Sequence, residues 1–186
     1  MRIIETKAYQ FSELSEEAKQ KAIESHYDIN VDYDWWDFIY DDAENVGIEI
    51  TGFGLDRRRH CEGDFICTAK EVAQKILEEH GDQCGTYKTA AAFMEELENL
   101  KNLELGRYEQ YCDETPEDER PYDDFDEWLS CHDDDIETAK DEFKKSILED
   151  YSIMLQEEYE YLTSEEAIIE TIEANEYEFT ENGKRI

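Results

Sequence analysis

The chain has little positive charge. It holds 18 Lys and Arg against 52 Asp and Glu over 186 residues, a formal net charge of −34. It is also poor in proline, with two, and in glycine, with eight. No apolar run approaches the roughly 20 residues that span a bilayer. The opening Met-Arg-Ile-Ile-Glu-Thr lacks the apolar stretch of a signal peptide. A membrane is disfavoured a second time, because anionic lipid repels such a chain. Five cysteines, at 61, 67, 84, 112 and 131, make an odd number. Together these absences lead us to expect a cytoplasmic protein with reduced thiols.

Chemical motifs are scarce as well. The sequence has no Cys-x-x-Cys pair, no glycine-rich phosphate loop, no nucleophile elbow and no His-Glu-x-x-His. Carboxylate pairs occur throughout, so none stands out as an acid and base. A metal-dependent nuclease centre among Asp56, Glu62 and Asp64 would repel its own substrate. His60 and Cys61 are adjacent and would point to opposite faces of a strand, which opposes a tetrahedral zinc site. The acidic stretches DDFDEW and CHDDDIE lack the glycine and final glutamate of a calcium loop. A metal-dependent enzyme or zinc protein is therefore the weakest of three readings. The expectation is no enzyme, no catalytic residue, no cofactor and no metal.

What the chain does have is aromatic content. Hydrophobic residues make up 39% and aromatics 12%, with 12 Tyr, 8 Phe and 3 Trp. High net charge with low hydrophobicity marks disorder, but large aromatics supply buried area that disordered tails lack. The composition therefore describes a folded protein with an over-charged surface.

The spacing of apolar residues gives an α+β fold: a small antiparallel sheet packed with helices, plus an acidic helical region in the C-terminal half. Residues 2–10 alternate like a strand. Ser15 caps a helix with Glu16 and Glu17 in its first turn. Trp35, Trp36, Ile39, Ala43 and Val46 recur at helical spacing before a stop at Gly47. Two strands over about 48–56 and 59–67 form a hairpin. Thr68-Ala-Lys-Glu71 is a capping box for a helix to His80, and a further helix covers about 87–104. Pro121 suits the first turn of a short helix holding Phe125, Trp128 and Leu129. A long helix spans about 136–162. A second capping box, Thr163–Glu166, precedes another helix, and Tyr177–Thr180 is a last strand that pairs with the first. The chain thus divides into an α+β core at 1–105, an acidic helical region at 106–175 and a C-terminal strand at 176–186 that returns to the core, together expected to form one compact unit.

The charge is uneven. Residues 1–100 hold 23 acids and 10 bases, whereas residues 101–186 hold 29 and 8. Thirty-four charges correspond to about 58 Å of duplex DNA, at about 1.7 Å of axis per charge. A compact chain of this length has a radius of gyration of only about 16 Å. Carboxylates at i and i+4 on a helix lie about 6 Å apart, near the phosphate spacing along one strand. Acidic helices can therefore imitate a phosphate track. The long helix is a poorer carrier, since Lys140, Lys144 and Lys145 partly neutralise it. The expected mimic surface is Asp34, Asp37, Asp41 and Asp42, with Glu117, Asp118, Asp123, Asp124, Asp126, Asp133, Asp134 and Asp135. The one basic cluster, Arg57-Arg58-Arg59, reads either as an internal ion-pairing element or as a patch on which a second protomer's acidic face docks, giving a homodimer.

The stretches FSELSEEAKQKAIE, DYDWWDFIYDDAENVGIEITGF and GLDRRRHCEGDF, with the ending TSEEAIIETIEANEYEFTENGKR, resemble a family of small, highly acidic, largely uncharacterised phage- and prophage-encoded proteins, sometimes labelled antitoxin-like. The resemblance implies a mobile element in a bacterium and transfers no catalytic residue. By class analogy it suggests a non-enzymatic inhibitor of the anti-restriction or anti-CRISPR kind. Such a protein acts in the host bacterial cytoplasm as a DNA mimic. It occupies the basic groove of a nuclease or defence complex and contacts neither nucleic acid nor membrane directly. The alternative is an antitoxin or adaptor that binds a protein partner through exposed Tyr and Trp.

Overall fold

The computed structural model describes residues 7–122 and 124–186. Most of the strand expected at 2–10, and Asp123, lie outside the described residues. Among those described, seven α-helices accompany two short antiparallel strand pairs, an α+β architecture dominated by helix. The strands make two separate two-stranded pairs in place of one sheet.

Local chemistry sets most boundaries. Ser15 Oγ accepts the Ala18 amide at 3.3 Å and opens α1 (Glu16–Ser25). Helix α2 (Asp37–Val46) buries Ile39, Ala43 and Val46 along one stripe. Trp35 and Trp36 precede that helix instead of starting it. Here the Trp35 amide donates to Tyr33 O at 2.7 Å and the Asp37 amide to Asp34 O at 3.2 Å, which are turn bonds and not helical ones. Gly47, at φ 94°, terminates α2. A Cβ there would lie 2.6 Å from Cys67 Sγ.

Strands β2 (Ile48–Gly54) and β3 (His60–Phe65) form the expected hairpin, with Ile48 and Ile50 inward and Glu49 and Thr51 outward. In α3 (Ala69–Glu79) the capping box is present: Thr68 Oγ1 accepts the Glu71 amide and Glu71 Oε2 accepts the Thr68 amide at 2.9 Å. Helix α4 (Gly85–Glu114) runs ten residues beyond the expected end at 104. The change of charge near residue 105 thus falls inside one helix. Helix α5 (Phe125–Cys131) is opened by Asp124, whose Oδ1 accepts the Glu127 amide at 2.9 Å, so Pro121 lies outside its first turn. Helix α6 covers Asp134–Leu162. Helix α7 (Glu165–Ala174) is capped by Ser164 and not Thr163. The Thr163 hydroxyl is engaged elsewhere, donating to Tyr159 O at 2.7 Å.

The chain forms two compact units, one of residues to Phe38 together with Met154–Ile186, the other of Ile39–Ile153. In the first, β1 (Tyr9–Gln10) pairs with β4 (Glu178–Phe179), as expected of the terminal strands. Its core joins Phe11, Leu14, Ala22 and Ile23 to Ile168, Ile172 and Phe179. Buried Asn30 donates to Leu162 O at 3.0 Å and accepts from the Thr171 hydroxyl at 2.7 Å, so its amide is satisfied. In the second unit Phe93 stacks on Phe143 at 4.3 Å, and Val72, Ala73, Ile76, Ile147 and Tyr151 are buried.

Candidate acidic surface

Residues 113–135 contain 12 acids and one base, Arg120. That base is held by the backbone. Its Nε donates to Thr115 O at 2.9 Å and its Nη2 to Cys112 O. Arg120 thus ties the end of α4 to the turn that follows and forms no ion pair with a carboxylate among the described residues. Beneath the acids sits an aromatic platform. Trp128 is buried and stacks on the His132 ring at 3.9 Å, with Tyr111 at 4.8 Å and Tyr122 at 5.3 Å. The indole N–H faces Glu104 Oε2 at 3.4 Å, and buried Glu104 is ion-paired with Arg107. These rings hold the acid-bearing backbone in place.

The individual acids differ in what they do. Glu117 and Asp118 lie exposed on a 3-10 turn, Glu117–Glu119. Asp124 caps α5 and Asp126 occupies its first turn, while Asp134 and Asp135 occupy the first turn of α6. Carboxylates are stabilising there, near the positive end of the helix dipole. Asp133 is half-buried, and its carbonyl accepts the Glu137 amide at 2.8 Å. Asp123 lies outside the described residues.

Asp34, Asp37 and Asp41 are exposed. Asp42 turns inward instead. Tyr151 Oη donates to Asp42 Oδ2 at 2.9 Å, and His80 Nε2 lies 3.5 Å from Oδ1, an electrostatic contact without hydrogen-bond alignment. His80 and then Tyr151 hold the Asp42 carboxyl below its ordinary range, against the opposing effect of burial. The same burial, with the Asp42 charge, pushes the Tyr151 phenol up. Sequence spacing alone did not single out this Asp42–His80–Tyr151 group. Its three members lie on three helices or their ends, and only the tertiary fold joins them.

Of the arginine cluster, Arg59 is an internal pairing element. It donates to Ser152 Oγ at 3.0 Å and pairs with Glu149. Arg57 and Arg58 are exposed. All five cysteines are free thiols, and burial beside Glu62 pushes Cys61 up to about 11. Among the described residues, no group of three or more His, Cys, Asp or Glu side chains is placed to hold a metal ion. No helix among them is long and apolar enough to cross a membrane.

Fold and surface together define a mostly helical, strongly acidic α+β protein. Comparison with protein-family models, curated proteins and solved structures finds no match to the chain.

Proposed function

We propose that the protein is a non-enzymatic, phage-encoded inhibitor that imitates nucleic acid and blocks the basic groove of a host nuclease or defence complex in the bacterial cytoplasm. One observation carries this reading. Residues 113–135 present a dense acidic surface on ordered aromatic packing, and their single base is engaged by backbone carbonyls. A fixed array of carboxylates is what a phosphate-binding groove selects, because it meets the groove's cations without reordering cost. Asp34, Asp37 and Asp41 are further exposed carboxylates; Asp42 serves the interior. The test is binding to DNA-processing and defence proteins under salt titration, with duplex and single-stranded DNA as competitors. Affinity should fall at least about tenfold between 50 and 200 mM salt, and DNA should compete. Salt-independent binding, or simultaneous binding with DNA, would sink the mimic.

A second reading has its own observation. In the unit built from the two ends of the chain, Tyr27, Tyr33, Phe38 and Tyr161 are 46%, 61%, 54% and 55% exposed. Large exposed aromatics suit the centre of a protein–protein interface, as an antitoxin or adaptor requires. Tyr33→Ala and Phe38→Ala would then abolish binding, while neutralising Glu117 and Asp118 would leave it intact. Trp128 is buried in the aromatic packing, so its substitution would test the fold and not this interface.

A further inference from the structure

A cavity of about 350 Å³ opens in the second unit between α3, α4, α5 and α6. Phe93, Leu97, Leu129 and Ile136 supply its apolar lining. Its polar lining is unusual for this chain. Lys70 of α3, Lys101 of α4 and Lys140 of α6 all border it, along with Asp126 and Asp133. Lys140 is ion-paired with Glu137. Lys70 and Lys101 are exposed and form no ion pair among the described residues, although acids outnumber bases 52 to 18. Two ammonium groups that form no ion pair among the described residues therefore border an apolar cavity whose carboxylates, Asp126 and Asp133, lie in α5 and just before α6.

We propose that this cavity binds a small apolar monocarboxylate, with the hydrocarbon against Phe93, Leu97, Leu129 and Ile136 and the carboxylate at Lys70 and Lys101. The size suits it. At about 30 Å³ per water-sized group the cavity accommodates about a dozen, enough for the ten non-hydrogen atoms of an eight-carbon acid. Apolar walls with a few convergent polar groups are the usual make-up of a small-molecule site. Charge selects the sign of the head group: α3 and α4 bring free cations, while Asp126 and Asp133 enter from the α5–α6 side and disfavour a second negative charge on the ligand.

The experiment titrates octanoate into the full chain, followed by calorimetry and amide NMR shifts, with octylamine and octanol as equal-length comparisons. Octanoate should bind one per chain with a Kd of about 1 mM or tighter. Lys70→Gln combined with Lys101→Gln should weaken it at least about tenfold, with circular dichroism unchanged. Leu129→Trp, which fills the cavity, should abolish binding while both lysines remain. Octylamine binding as tightly as octanoate would overturn the assignment. So would unchanged binding to the double lysine variant, or no saturation by about 10 mM.

Discussion

At the scale of single residues, the chain has two carboxylates in half-buried settings that respond oppositely to their surroundings. Asp42 is lowered by His80 and the Tyr151 hydroxyl, whereas Asp150 is raised by burial despite accepting the Thr89 hydroxyl at 2.6 Å. A lowered folded value means that Asp42 contributes stability above the ordinary carboxylate range near pH 4. That contribution is lost as pH falls through the lowered value. Asp150 behaves in the reverse sense: its raised value makes the ionised form a cost to folding at pH 7. Tyr151→Phe should therefore cost about 1–2 kcal/mol at pH 7 and less in acid, where Asp42 is protonated. Asp150→Asn should be neutral or stabilising by less than about 1 kcal/mol at pH 7, because solvent screens a half-exposed group. Urea unfolding at pH 7, and for Tyr151→Phe also at a pH below the lowered Asp42 value, measures both. A Tyr151→Phe cost that is the same at the two pH values would remove the charge coupling. Gly183 offers a steric counterpart. It is buried at φ 82°, and a Cβ there would lie 2.1 Å from Ala18 O. Gly183→Ala should cost more than about 2 kcal/mol by the same measurement.

Among elements, legibility followed how local the signal was. Ser15 and Thr68 announced their helices because a cap is a contact between residues three apart. The β2–β3 hairpin is readable from the switch of period, whereas the pairing of the terminal strands rests in sequence only on the strand-like patterns at 2–10 and Tyr177–Thr180. The start of α2 was misplaced because Trp35 and Trp36 fit helical spacing while their backbone makes turn bonds. Helix α4 outruns its expected end at 104: the charge rises in sequence beyond residue 105, yet the aromatic platform under 113–135 carries the helix on to Glu114. Gly106 lies exposed within α4, and a Cβ there would have no neighbour within 4 Å. Gly106→Ala should stabilise by about 0.5–1 kcal/mol, since glycine's backbone entropy is then the only thing changed. Thermal unfolding would show it as a higher Tm; no change would mean that α4 frays there. The acidic positions were readable from sequence as a list but not as a site. Asp42 and Glu117 look alike in composition, and only packing separates the carboxylate engaged by Tyr151 from the one facing solvent.

For the molecule as a whole, the question is whether −34 is a burden or an instrument. Self-repulsion at this charge works against the compact state, and salt relieves it. The Debye length falls from about 30 Å at 0.01 M to about 3 Å at 1 M, so Tm should rise with added salt. Ion pairs such as Lys19–Glu16 and Lys21–Glu17 are exposed and too weak to reverse that trend. Neutralisation can then separate acids that serve the fold from acids that serve a partner. Asp124→Ala removes a helix cap and should cost about 1 kcal/mol. Glu117→Gln with Asp118→Asn removes two exposed charges from a 3-10 turn and should leave stability unchanged or slightly higher. If the surface is an instrument, that second pair weakens binding to a basic groove at low salt and flattens its salt dependence while Tm holds. If binding and its salt slope stay as they were, these carboxylates act only as a solvated surface, and the mimic must be sought at Asp34, Asp37 and Asp41 or abandoned. Tm and salt-dependent affinity measured on the same two variants decide between these outcomes, because a merely unfolded protein would lose both together.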